Sequence, residues 1–131
     1  VVLGRELSTL AETNRRSLLN LAGISFIGVQ ALPAQLAQQR YDVLIEGIFG
    51  TGFAGRLPAA VAACCRLLNA SDGLKVALDM PTGLNGDTGD VDADVFRAEL
   101  TYTFGAYKPA HLMDAGRAVC GEIVCLAIGI Q

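Results

Sequence analysis

The chain has 131 residues and a net charge of -3, with 52% hydrophobic and 18% charged residues. These values describe a globular chain long enough for one core and exclude a disordered one. No basic stripe suits nucleic acid, and no apolar run is long enough to span a bilayer, so neither partner is expected.

No charged-then-apolar leader opens the chain. It starts at Val1 inside an apolar strand-like run, and a fragment lacking its first segment is expected. Residues 1–131 are read as a single domain. The four cysteines, Cys64, Cys65, Cys120 and Cys125, lack the spacing of a zinc knuckle. They read as buried free thiols in a reducing, cytoplasmic setting.

Val1-Val2-Leu3 reads as a short strand. Thr9 and Glu12 have the spacing of a capping box that opens a helix to about Ala22, with Leu10, Leu18, Leu21 and Ala22 on one face. Gly23 ends it. Ile24 to Val29 reads as a second strand and Leu32 to Arg40 as a short helix that tolerates Pro33 in its first turn. Asp42 to Glu46 is the third strand, and its apolar centre predicts burial on both faces. A glycine loop, Gly47 to Arg56, leads to Pro58 and a helix to about Ala70. Ser71-Asp72-Gly73 is a turn. Lys75 to Asp79 is the fourth strand and Met80 to Asp94 a long polar loop of the kind that carries function or is disordered. Ala98 to Phe104 is a fifth strand, Lys108 to Ala118 a turn or short helix, and Gly121 to Gly129 the last strand. Alternation of this kind predicts βαβ units around a parallel sheet.

In such sheets ligands bind at the carboxyl ends of the strands. Glu46 and Asp79 occupy two of those ends, one strand-helix-strand unit apart. If their strands are parallel neighbours, both acids and both glycine loops share a rim. Gly50-Thr51-Gly52-Phe53-Ala54-Gly55 matches G-x-G-x-x-G between a strand and a helix, a pattern that brings backbone N–H groups to a pyrophosphate. Arg56 adds a charge for phosphate. A plain tight turn explains the same glycines. Asp79 stands where a dinucleotide fold places its ribose acid. Glu46 and Thr82 offer hard oxygens, which suit an alkali cation better than zinc or iron; Thr82 capping its own turn is the simpler alternative. Lys108 reads as a solvated lysine or a phosphate contact, and His111 as structural or exposed.

Three ordered stretches resemble one family. They are Asp42-Val43-Leu44-Ile45-Glu46-Gly47-Ile48-Phe49-Gly50-Thr51-Gly52-Phe53, then Val76-Ala77-Leu78-Asp79-Met80-Pro81-Thr82-Gly83-Leu84-Asn85, then Leu100 to Pro109 with His111 and Gly121-Glu122-Ile123-Val124. Together they resemble the NAD(P)H-hydrate epimerase family, the YjeF N-terminal domain. The resemblance implies an α/β fold, a Rossmann-like three-layer sandwich with a mainly parallel sheet. It implies an isomerase that interconverts the R and S epimers of hydrated NADH and NADPH, alone or as the N-terminal half of a bifunctional epimerase/dehydratase. Gly50, Thr51, Gly52, Phe53, Ala54, Gly55 and Arg56 would bind the dinucleotide. Asp79 would contact substrate and carry the proton as the hydroxyl leaves and water returns to the other face. Glu46 and Thr82 would fall at potassium ligands. A dehydratase, fused or separate, and a homo-oligomer are the expected protein partners.

The family usually has Asp at the position of Glu46 and Ser at that of Thr82. It also carries a Gly-x-Asn-Asn-Gly-Gly-Asp loop near its start, and this chain is expected to begin after it, which would leave the site incomplete. A conventional NAD-dependent oxidoreductase fits less well, because it would carry the fingerprint on its first strand. A non-catalytic binding or scaffold member of the same fold is the other alternative, although decapping scaffolds of this fold tend to lose the acid and glycine signatures kept here.

Overall fold

The computed structural model describes residues 8–19 and 21–129. The chain forms two compact units, residues 1–39 and 40–131. The strand expected at Val1-Val2-Leu3 lies outside the described residues.

In the first unit, helix α1 spans Thr9–Leu19. Its cap is Ser8, whose hydroxyl accepts the Ala11 N–H at 3.2 Å, so the expected Thr9–Glu12 box does not form. Ser8 stands one residue earlier, where its oxygen reaches the third helical amide. Glu12 instead pairs with Arg15 and Arg16 at 2.8 and 2.9 Å. The helix stops at Leu19, short of Ala22, and buries none of its residues; Leu10, Leu18 and Leu21 are exposed. Ile24 to Val29 forms no ladder with the described strands, and Val29–Ala31 is a 3-10 turn. Gly28 makes an isolated bridge, and no strand runs through 24–29 among the described residues. Helix α2, Leu32–Gln38, follows with Pro33 in its first turn.

The second unit is α/β. Its elements are β1 (Val43–Glu46), α3 (Ala59–Asn69), β2 (Leu74–Leu78), β3 (Leu100–Phe104), α4 (Pro109–Leu112), α5 (Asp114–Cys120) and β4 (Glu122–Leu126). The strands form one parallel sheet in the order β1-β2-β3-β4. Glu46 lies opposite Ala77, Ala77 opposite Thr101, and Thr101 opposite Ile123, so these four share a face. Each crossover steps one strand in the same direction, and the right-handed rule then puts the crossovers on one face. That is the observed packing. Val61, Ala62 and Cys65 of α3 cover Ala77 together with Phe53, Leu57 and Phe96, and Val119 and Cys120 of α5 pack with Ile123.

The expected two-sided burial of β1 is not observed. Leu44 and Glu46 are buried, while Val43 and Ile45 are 45% and 63% exposed. β1 ends the strand order of the described sheet, and its second face, with Leu74, Leu78 and Leu126, is exposed as well. The long connection from Asp79 to Glu99 is ordered. Leu84 bridges Val91, and Met80, Leu84, Val95 and Phe96 are fully buried. Burying a side chain such as Phe96 contributes about 2–3 kcal/mol, enough to fix a loop that has little regular structure.

Candidate functional site

β1 and β2 are parallel neighbours, so Glu46 and Asp79 reach the same rim. β1 ends on Glu46, and the chain turns through Gly47 into the glycine loop. The Glu46 side chain is only 4% exposed and folds over the rim. Its Oε1 accepts the Thr82 N–H at 2.9 Å; its Oε2 accepts the Thr82 hydroxyl at 2.7 Å and the Ile48 N–H at 3.1 Å. Thr82 Oγ1 in turn accepts the Phe49 N–H at 2.9 Å. Thr82 therefore clasps the glycine loop rather than capping its own turn. Burial pushes the Glu46 carboxyl above its ordinary value, against the lowering effect of the Thr82 and Ile48 bonds.

Glu46 and Thr82 form a hard-oxygen set, and among the described residues no cationic side chain meets the buried carboxylate. That chemistry fits an alkali cation. No group of three or more His, Cys, Asp or Glu side chains is placed to hold a metal ion among the described residues.

Asp79 follows β2 directly, with φ of 69°. A left-handed Asp is uncommon and concentrates at turns and functional sites. This turn swings the carboxylate across the end of β3. Oδ1 accepts the Phe104 N–H at 3.2 Å, the Thr103 hydroxyl at 3.3 Å and the Lys108 ammonium. Among the described residues no donor reaches Oδ2. It faces the glycine loop instead: a Cβ added at Gly50 would lie 3.5 Å from it. Burial pushes the Asp79 carboxyl up, but the Lys108 bond and the Phe104 and Thr103 bonds outweigh it and hold it below the ordinary carboxylate range.

The loop residues divide into two groups. Thr51, Gly52, Ala54, Gly55 and Arg56 are exposed, as a phosphate-binding loop requires. Phe53 is turned inward and stacks on Phe49 at 5.9 Å, and its N–H donates to the Gly50 carbonyl at 3.2 Å. The loop leads through Leu57 and Pro58 into the helix, as expected. Gly55 is left-handed at φ 82°, and α3 begins at Ala59 after Leu57 and Pro58. Pro58, at the N-cap of α3, has no backbone N–H to donate.

Two features escaped the sequence reading. Asp92 ties the long loop to the approach of α3, its Oδ2 accepting the Leu57 N–H at 3.0 Å. Lys108 is neither solvated nor free for phosphate. Its ammonium donates to Asp79 Oδ1, to Thr103 Oγ1 at 2.9 Å and to the Phe104 carbonyl at 3.1 Å. The signal available was positional: Lys108 follows the strand that neighbours Asp79. His111 is buried, and its Nδ1 accepts the Lys108 N–H at 3.1 Å.

Residues 1–110 match the family described as YjeF-related protein N-terminus. The chain is 34% identical to a bifunctional NAD(P)H-hydrate repair enzyme Nnr of Pyrobaculum aerophilum over 134 residues, 99% of this chain and 27% of that protein. It is 32% identical to an NAD(P)H-hydrate epimerase of Limosilactobacillus fermentum over 117 residues, 89% of this chain and 55% of that one. A bifunctional Nnr of Archaeoglobus fulgidus is 42% identical over 89 residues, 68% of this chain and 18% of that protein. The chain thus spans from 18% to 55% of these relatives' lengths. With the family match covering most of its residues and the glycine loop meeting the Asp79 turn on one rim, the chain belongs to the family of YjeF-related protein N-termini.

Proposed function

We propose that the chain carries the NAD(P)H-hydrate epimerase activity named for its relatives, interconverting the R and S epimers of hydrated NADH and NADPH. It would act in the cytoplasm, alone or as the N-terminal half of a protein that also holds a dehydratase. One observation carries the reading: the open oxygen of Asp79 faces the glycine loop at Gly50. A dinucleotide whose phosphates lie along Gly50 to Arg56 would extend its reacting ring toward that oxygen.

The reacting carbon bears a hydroxyl beside the ring nitrogen. Loss of that hydroxyl as water would need Asp79 protonated at the start. Asp79 rests as a carboxylate, held so by Lys108, Phe104 and Thr103. Its first act is therefore to take a proton, and the hydroxyl offers one. As that proton moves to Oδ2, the carbon–nitrogen bond breaks, the carbon becomes an aldehyde, and Asp79 returns the proton to the nitrogen. Rotation and re-closure on the other face invert the centre, with the proton moving back. No atom is gained or lost, and one carboxylate serves both directions.

Glu46 and Thr82 would hold a potassium ion, which would supply fixed positive charge to the buried carboxylate and join the two loops. Self-association belongs to the same proposal; the exposed apolar residues Val43 and Ile45 support it, and sedimentation tests it.

The test is exchange between the separated epimers, followed by chromatography, in the wild-type chain and in Asp79→Asn. Exchange in the first and none in a folded second is expected. No exchange by the wild-type chain, or full exchange by the variant, refutes the reading.

A further inference from the structure

We propose that Lys108 is the positioning residue of this site: with Thr103 and the Phe104 amide it holds Oδ1 of Asp79, leaving Oδ2 alone to exchange protons, and His111 sets Lys108 in place through its backbone N–H. The catalytic part of this inference rests on the epimerase reading.

The geometry divides the carboxylate into two unlike oxygens. Oδ1 is held by a side-chain ammonium, a hydroxyl and a backbone amide from β3 and the start of α4. Oδ2 lies beside the glycine loop, 3.5 Å from where a Gly50 Cβ would stand, and among the described residues no donor reaches it. Both partners are mostly buried, with 17% of the Lys108 side chain and 22% of the Asp79 side chain exposed. An ammonium has three protons. Asp79, Thr103 Oγ1 and the Phe104 carbonyl take all three, which leaves none for substrate. A lysine spent in this way orients its neighbour and does not bind phosphate.

His111 is the reason Lys108 stands where it does. The Lys108 N–H precedes a four-residue helix and has no helical acceptor. His111 Nδ1 accepts it at 3.1 Å. Accepting at Nδ1 places the ring proton on Nε2, which has no hydrogen-bond partner among the described residues, and the residue is 2% exposed. Tyr107 packs edge-on at 6.2 Å and fixes the ring plane. Burial, reinforced by the Lys108 charge, pushes the imidazole below its ordinary value, against the raising effect of Asp79. Among the described residues, Lys108 and His111 are the titratable side chains set against Asp79. β3 contributes a hydroxyl and an amide, and the glycine loop comes closest at Gly50.

The experiment uses the full chain with Lys108→Met, Lys108→Arg, His111→Leu and His111→Asn. The Asp79 carboxyl is titrated by carbon NMR, assigned with Asp79→Asn, and epimer exchange is measured against pH. Lys108→Met should raise the Asp79 midpoint by about one pH unit or more, the size of effect an opposite charge at contact produces. The acid limb of kcat should move up by the same amount, with kcat down about tenfold or more and KM unchanged. Lys108→Arg should keep the low midpoint and still lose kcat, because a planar guanidinium cannot reproduce the three contacts. His111→Asn retains an acceptor for the Lys108 N–H and should keep the wild-type midpoint; His111→Leu should not. An unmoved midpoint in Lys108→Met overturns the inference. Should that variant not fold, wild-type kcat in Lys108→Arg does so. A wild-type chain that exchanges no epimers refutes the epimerase reading, and the NMR titration still decides what Lys108 does to Asp79.

Discussion

Thr82→Val removes one hydroxyl and almost no volume, and its cost can be worked from the structure. Thr82 is 0% exposed, so the added methyl replaces oxygen in a closed space and opens no cavity. Two bonds are lost. The hydroxyl donates to Glu46 Oε2 at 2.7 Å and accepts the Phe49 N–H at 2.9 Å. The first is a bond to a charged group, worth about 1.5–3 kcal/mol, and the second leaves an amide unpaired at about 1–3 kcal/mol. The Phe49 amide is only partly buried and water can replace part of its bond, so the sum comes to about 3 kcal/mol. For a chain of this size that is a fall of about 10 °C in Tm. Thr82→Ser keeps both bonds and loses a methyl, about 1 kcal/mol. The assay is thermal unfolding followed by circular dichroism, with urea midpoints as a check. Thr82→Val melting within about 2 °C of wild type would show that the two loops are not joined through this hydroxyl.

Gly50→Ala should leave Tm unchanged, since its Cβ would meet Asp79 Oδ2 at an ordinary 3.5 Å, but it covers the open oxygen and should lower epimer exchange about tenfold or more; unaltered exchange would move the reacting centre elsewhere. Native thiol titration should find Cys125 alone reactive near neutral pH. Burial pushes Cys65 up to about 12 and Cys120 up to about 11, and Cys64 is buried beside Cys65, so reaction of a second thiol before unfolding would contradict the packing of α3 and α5. Potassium should raise Tm relative to lithium at equal ionic strength, and Glu46→Gln should abolish the difference; equal Tm values in the two salts would remove the ion from the site. Epimer exchange in oxygen-18 water should retain the original oxygen, whereas one solvent oxygen gained per inversion would favour loss and return of water.

Much of the second unit was legible because its signals are local and agree with one another. The apolar runs at Val43, Leu74, Leu100 and Ile123 are bounded by turn residues, and βα alternation leaves a parallel sheet as the simplest solution. The first unit was less legible. Ile24 to Val29 has the composition of a strand, but a strand is a relation between two segments and its own residues encode only half of it. The α1 boundary failed in a different way: Ser8 and Thr9 are both good caps, and one residue of shift decides which hydroxyl reaches an amide.

The site was legible as a set of residues and not as an arrangement. Glu46, Asp79 and Thr82 stood out from position and residue type, and the register of β1 with β2 brings them to one rim. What the sequence could not convey is how each oxygen is used. The left-handed turn at Asp79 aims its carboxylate across β3 and away from Glu46, which separates two acids that the sequence places together. Lys108 then follows from that turn. Its backbone position after β3 was visible, but the destination of its ammonium depends on a φ angle 29 residues away. The two acids are shifted in opposite directions. Glu46, buried with neutral donors, is pushed toward protonation, and Asp79, gripped by an ammonium, is held ionised. Two carboxyl groups driven apart in this way suit separate tasks, one closing the loops together and the other moving a proton.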